Sequence, residues 1–283
     1  MSASGDVREA ALSALAWQVE LGADEAISET PIDRFVESKP KAAPAAGSKS
    51  NAAEDPRGRD AATGAAEDAR PAPKQQTEAA METETLAAQA NSLEELAGIM
   101  QAWEGSPLKA AARNFVFCDG NPKARLIVVG EAPGAEEDIQ GKPFVGRAGQ
   151  LLDRMLAAIG LSRAEEDPKK AAYITNMVNW RPTGNRTPTE KEADLFRPFL
   201  ERHIQLADPE LILTMGNTPT KGLLRTTTGI KRMRGTWVKH ESSGKPLLPT
   251  FHPAYLLRSP GEKRMAWMDM LAIKKALEGQ SPL

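Results

Sequence analysis

From Lys39 to Ala80 the chain runs for forty-two residues without a Leu, Ile, Val, Met, Phe, Tyr or Trp, while fourteen are Ala and five are Pro. A segment of that composition buries too little apolar surface to offset its ordering entropy, so it reads as a linker. It divides the 283 residues into three parts. Residues 1–35 carry a short amphipathic helix around 7–22, with Leu12, Leu15, Ala16 and Val19 at helical spacing. This segment either docks on the globular part as a helix, binds a protein partner or is loosely ordered. Residues 36–90 form a disordered Ala/Pro-rich linker, and residues 91–283 the folded domain. Charge follows the same division: net -7 over residues 1–90 and net +5 over 91–283. The larger part can therefore meet a polyanion.

The one cysteine, Cys118, excludes a disulfide framework and any protein-only cysteine cluster. There is no run of eighteen apolar residues and no signal-like N-terminus, so a soluble intracellular, cytoplasmic protein without membrane attachment is expected.

Ser92 with Glu95 forms a capping box ahead of Leu93, Leu96, Ile99, Met100 and Trp103, which predicts the first helix of the domain. Arg125-Leu-Ile-Val-Val-Gly130 is a short continuous apolar run, as in a strand covered on both faces. Leu151, Leu152, Met155, Leu156 and Ile159 line a helix ended by Gly160. Further strands are predicted over Ala172–Asn176, Glu210–Met215 and around Pro246–Thr250. Thr189 and Glu192 cap a long helix that Pro198 should kink or split, and a last helix spans roughly residues 261–278. Strands alternating with helices predict an α/β fold: a three-layer α/β/α sandwich around a mainly parallel central four-stranded sheet.

In such sheets ligands bind at the carboxyl ends of the strands. Gly130-Glu-Ala-Pro-Gly134, Asn176 to Asn185, Gly216-Asn217 and His252-Pro253 all fall there. The glycine-rich turn lacks the dinucleotide fingerprint and runs into Glu136-Glu137-Asp138, which would repel a pyrophosphate. Walker A, G-x-S-x-G and zinc-deaminase ligand patterns are absent. Read singly, Phe144 suits a core, Asn176 a turn and His252 a strand cap. Together they leave a site of carboxylate, imidazole, amide and backbone. Thr228 to Gly235 adds Lys231, Arg232 and Arg234, three cations in four residues that suit phosphate contact or a solvated loop.

Four spaced segments, Gly130 to Gly134, Gly141 to Asp153, Tyr173 to Pro182 with Asn185-Arg186, and Pro249 to Arg258, resemble the family 4 group of the uracil-DNA glycosylase superfamily over residues 92–278. The resemblance implies a monofunctional enzyme of base excision repair that hydrolyses the N-glycosidic bond of uracil in single- or double-stranded DNA, as a monomer and without a catalytic metal. It implies that Gly130, Glu131 and Ala132 form the floor of the uracil pocket and its water site. Phe144 would stack on the base, Asn176 read its edge and His252 donate toward O2. Leu256, Leu257 and Arg258 would enter the duplex. The loop with Lys231, Arg232 and Arg234 departs from the family, and its role on the phosphates is read from its charge alone.

The chemistry is coherent on general grounds. A flipped base is recognised by an aromatic plane and a bifunctional amide, and a fixed donor stabilises negative charge as uracil departs. Typical members carry a four-cysteine iron–sulfur cluster; the matching positions here are Trp103, Ser106, Trp180 and Phe196, so no cofactor is expected and packing should hold the same segments. A related group traps its product on a histidine in the basic loop. None lies within residues 225–235, which favours turnover. A non-catalytic damaged-DNA binder, and a scaffold acting through residues 1–35, are the other readings.

Overall fold

The computed structural model describes residues 73–282. The helix expected around residues 7–22 and the linker before residue 73 lie outside the described residues. The first described element, α1 (Pro73–Gln89), falls at the end of the stretch read as linker. Alanine is the strongest helix former, and small side chains let backbones approach closely. Ala87 and Ala90 are fully buried, and the Ala90 carbonyl accepts two bonds from Arg202, at 2.7 and 2.9 Å. Helix α2 (Leu93–Ala102) follows, with the Ser92 side chain accepting from the Glu95 N–H at its start.

The sheet corrects the four-stranded, mainly parallel expectation: it has six strands and is mixed. These are β1 (Cys118–Gly120), β2 (Leu126–Gly130), β3 (Ala172–Asn176), β4 (Leu211–Met215), β5 (Val238–Lys239) and β6 (Pro246–Thr250), in the order β1-β3-β2-β4-β6-β5. The inner four are mutually parallel, while β1 pairs antiparallel to β3 and β5 antiparallel to β6. Three and two residues are too few for a period-2 pattern, so neither edge strand announces itself. At the β1 edge a Cβ on Gly120 would stand 2.2 Å from the Ala172 carbonyl oxygen, and φ is +92°. Only glycine fits that turn of the chain.

Side chains of the buried strands alternate between two cores. Ile127, Val129, Tyr173, Ile212 and Leu247 pack with α1, α2 and α5 (Glu190–Ala207). Leu126, Val128, Ile174, Leu213 and Leu248 pack on the other face with α4 (Arg147–Ala158) and α9 (Lys263–Leu277). Helix α5 is not split at Pro198: it runs from its Thr189–Glu192 capping box to Asp208 with the proline inside it. Phe196, Phe199, Leu200 and Ile204 are all buried on either side of the proline, so packing holds the helix where one backbone bond is missing. The remaining short helices are α3 (Ala135–Gln140), α6 (Asn217–Leu224), α7 (Ile230–Met233) and α8 (Pro253–Arg258), all close to strand ends.

Candidate active site

Strands β2 and β3 end in register at Gly130 and Asn176. The ladder continues past them: Met177 N–H donates to the Gly130 carbonyl at 2.9 Å and Val178 N–H to that of Glu131 at 3.1 Å. A Cβ at Gly130 would lie 2.4 Å from both Asn176 Oδ1 and the Phe144 ring. The glycine thus lets an amide and an aromatic plane close over one strand end. Asn176 and Phe144 are 2% and 5% exposed.

Phe144 adopts φ +54°, which is rare for a bulky residue and persists only where the surroundings impose it. The following Val145 and Gly146 N–H groups both donate to Glu137 Oε1 at 2.9 Å, and the other oxygen of Glu137 accepts from Gly134 N–H at 3.1 Å. One carboxylate therefore ties the glycine-rich turn to the Phe144 loop. Its neighbour Asp138 is buried and accepts from the Arg113 and Asn114 N–H groups at 2.8 and 3.1 Å. The acidic triplet that the sequence presents as a repulsive run contains two loop anchors.

His252 caps the N-terminus of α8, its Nδ1 accepting from the Ala254 N–H at 3.1 Å. With Nδ1 so engaged, the neutral ring carries its proton on Nε2, available as a donor. Loss of hydration, then the charge of Arg258, pushes the pKa down to about 4 against a weaker opposing pull from Glu137. The imidazole is therefore neutral at pH 7. Its ring stacks on Phe144 with centroids 5.4 Å apart and planes at 27°. Gly216, at φ +94°, leaves room for it: a Cβ there would meet His252 Cβ at 3.3 Å. Across the site Glu131 Oε2 accepts from Thr218 Oγ1 at 2.8 Å.

Glu131, Ala132 and His252 line a cleft of about 880 Å³ whose wall also includes Lys231, Arg232 and Arg258. Gly130, Phe144 and Asn176 do not line it and are joined to it through the Phe144–His252 stack. Arg234 is elsewhere. Its guanidinium pairs with the buried Asp269, donates to the Met265 carbonyl at 2.8 Å and lies over the Phe251 ring at 5.6 Å. Burial raises the Asp269 carboxyl above its ordinary value even with Arg234 and Thr250 bonded to it. Arg234 thereby anchors the basic loop to α9. Leu256 is also buried, packed with Leu151, Phe251 and Ala266, whereas Leu257 is partly exposed.

Residues 117–272 match the sequence profile of the uracil DNA glycosylase superfamily, more than half of the chain. The chain belongs to the uracil-DNA glycosylase superfamily. It is similar to the type-4 uracil-DNA glycosylase of Saccharolobus solfataricus, 38% identical over 175 residues that make up 59% of this chain and 78% of that protein. The Thermotoga maritima type-4 enzyme is 40% identical over 157 residues, 54% of this chain and 77% of its own. That of Sulfurisphaera tokodaii is 37% identical over 170 residues, 57% and 74% respectively.

The positions that the resemblance matches to the iron–sulfur ligands of typical family 4 members do not fit a cluster here. Trp103, Trp180 and Phe196 are aromatic and buried, and the buried Ser106 hydroxyl accepts from the Leu108 N–H at 3.3 Å. Trp103 meets Phe196 edge-on at 5.7 Å and Phe199 at 5.4 Å, and Trp180 packs on Phe115 at 5.0 Å. Lys109 Nζ lies 5.7 Å over the Trp180 ring. Among the described residues no group of three His, Cys, Asp or Glu side chains could hold a metal ion. His203, outside the site, bonds Tyr173 at 2.8 Å, and burial lowers its pKa to about 3. His240 Nδ1 bonds the Ser243 hydroxyl at 2.8 Å, with Nε2 3.2 Å from Glu201.

Proposed function

We propose that this member of the superfamily is a monofunctional uracil-DNA glycosylase of base excision repair. It hydrolyses the N-glycosidic bond of a flipped uracil and leaves an abasic site. Water adds across the bond, its hydroxyl going to the sugar C1′ and its remaining proton to the departing base. The observation that carries the reading is the neutral His252, with Nδ1 bonded to the Ala254 N–H and Nε2–H left to donate. As the bond breaks, negative charge gathers on the uracil oxygens, and a donor already fixed in place bonds more strongly as that charge grows. The imidazole acts by hydrogen bonding rather than by protonation.

Phe144 offers a plane for the flipped ring, and the Asn176 amide can match O4 and N3–H of uracil, which cytosine cannot. Glu131, steadied by Thr218, orients the attacking water on the floor made with Gly130 and Ala132. Lys231, Arg232 and Arg258 on the cleft wall suit the phosphates of single- or double-stranded DNA, and Leu257 is the wedge better placed to leave its packing. Arg234 and Leu256 support those groups from behind. Lys142, beside the pocket motif, sits 3.5 Å from Asp119, which favours water over that lysine as nucleophile. No helix among the described residues is long and apolar enough to cross a membrane. The reading takes the chain as a monomer working on nucleoid DNA in the cytoplasm, with residues 1–35 as the segment for a protein partner.

A uracil-containing oligonucleotide incubated with the full chain tests this. Free uracil should appear while the strand stays intact until alkali is added. Binding without base release would mark a damage-binding module. Direct strand scission with a borohydride-trapped adduct would mark an amine nucleophile.

A further inference from the structure

Arg163, in the loop after α4, gathers four hydrogen bonds. Nη2 donates to the Phe144 carbonyl at 2.9 Å, Nη1 to the Pro143 carbonyl at 2.9 Å and to Asp119 Oδ2 at 3.2 Å, and Nε to Asp153 Oδ1 at 2.8 Å. Its side chain is only 14% exposed. Two consecutive carbonyls thus turn toward one guanidinium at the residue whose φ is +54°. Gly149 closes the other side, since a Cβ there would stand 1.8 Å from the Phe144 oxygen. Beyond Phe144 the chain is held by Glu137 through the Val145 and Gly146 N–H groups. The backbone is therefore gripped by a cation before the ring and an anion after it. Asp119 lies on β1 opposite Ile174, two residues before Asn176 on β3, so the clamp is fixed to the strand that carries the amide.

We propose that Arg163 is a positioning residue for base recognition: it sets Phe144 over Gly130 and Asn176 before uracil arrives. The proposal rests on reading Phe144 as the base platform. Preorganisation of this kind acts on binding, because the ligand no longer has to order the ring that receives it. The bond-breaking step at His252 should be little affected. Lysine cannot reproduce the planar fork that spans two carbonyls and two carboxylates.

The test uses the full chain and measures three quantities for each variant: single-turnover rate at saturating enzyme, half-saturating concentration for uracil-DNA, and inhibition by free uracil. Phe144→Ala should weaken both binding measures. Arg163→Ala should weaken them by about 10-fold with the saturated rate within about threefold of wild type, and should add less than about twofold in the Phe144→Ala background, as coupled neighbours do. Arg163→Lys should remain defective, and millimolar guanidinium should restore Arg163→Ala but not Arg163→Lys. Should Arg163→Ala fail to fold by near-ultraviolet circular dichroism, Arg163→Lys and Asp153→Asn carry the same comparison. Wild-type binding in the foldable variants, or a full additive loss on top of Phe144→Ala, overturns the role of Arg163. Unchanged uracil binding in Phe144→Ala alone would instead remove the platform reading beneath it.

Discussion

The loops around Gly130 and those around Trp103 are both fixed in place, by opposite means. Near Gly130 the grip is polar and residue-specific: Glu137 takes three N–H groups, and His252 Nδ1 takes one. Near Trp103 the grip is bulk. Trp103, Trp180, Phe115, Phe196 and Phe199 fill the volume, and the indole N–H groups of Trp103 and Trp180 have no hydrogen-bond partner among the described residues. A recognition site needs particular atoms in particular places. A structural tether needs only density, so the chemistry of the tether can be exchanged while the pocket stays the same.

That contrast can be broken at the tether. Trp180→Ala should destabilise the fold by about 3–5 kcal/mol, the range for emptying a large aromatic site, with little change in selectivity for uracil. Chemical denaturation beside an excision assay on the soluble fraction measures both. A loss under about 1 kcal/mol would mean that packing at Trp180 is not what holds the segment.

The basic loop sharpens the same comparison, because it contains a cation of each kind. Arg234→Ala leaves Asp269 buried with the Thr250 hydroxyl but without its cation and should cost about 3 kcal/mol in stability, while the dependence of DNA binding on salt stays the same. Smaller effects are expected at the cleft wall. Replacing Lys231, Arg232 or Arg258 singly should flatten the slope of log affinity against log salt by about one unit at most, alike for uracil-containing and normal DNA, and leave the denaturation midpoint unmoved. Salt titrations of the four variants would separate the anchor from the contacts. A flattened slope for Arg234→Ala at unchanged stability would reverse the assignment.

What the sequence disclosed follows the physics of each part. Strands β2, β3, β4 and β6 are legible because a strand buried on both faces must be apolar along its length, as Leu126–Val129 is. Cys118-Asp119-Gly120 carries no such pattern, and its place in the sheet is decided by pairing with β3. Gly130, Asn176 and His252 stand out at strand ends, where the fold puts ligands. Arg163 does not, since its partners are backbone carbonyls 19 and 20 residues away and carboxylates 10 and 44 away. Likewise Lys231, Arg232 and Arg234 are equivalent in a charge count. Only the position of Asp269 on α9 distinguishes the third.

The most direct test of the account is His252→Ala, followed by single-turnover excision at saturating enzyme beside affinity for a noncleavable uracil analogue, across pH 4–8. Neutral His252, with a pKa near 4, predicts a wild-type rate whose dependence on this group is flat above about pH 5 and falls as pH drops toward 4. Because the unfolded value is 6.5 and the folded one lower, the unfolded chain binds the proton first, so stability also declines as pH falls from about 6.5 toward 4. The variant should cut about 10²–10³-fold more slowly at pH 7 while its analogue affinity stays close to wild type, the signature of a donor that matters mainly in the transition state. A wild-type cleavage rate in His252→Ala, or equal losses in binding and cleavage, would contradict the account and leave Glu131 as the group on which the chemistry turns.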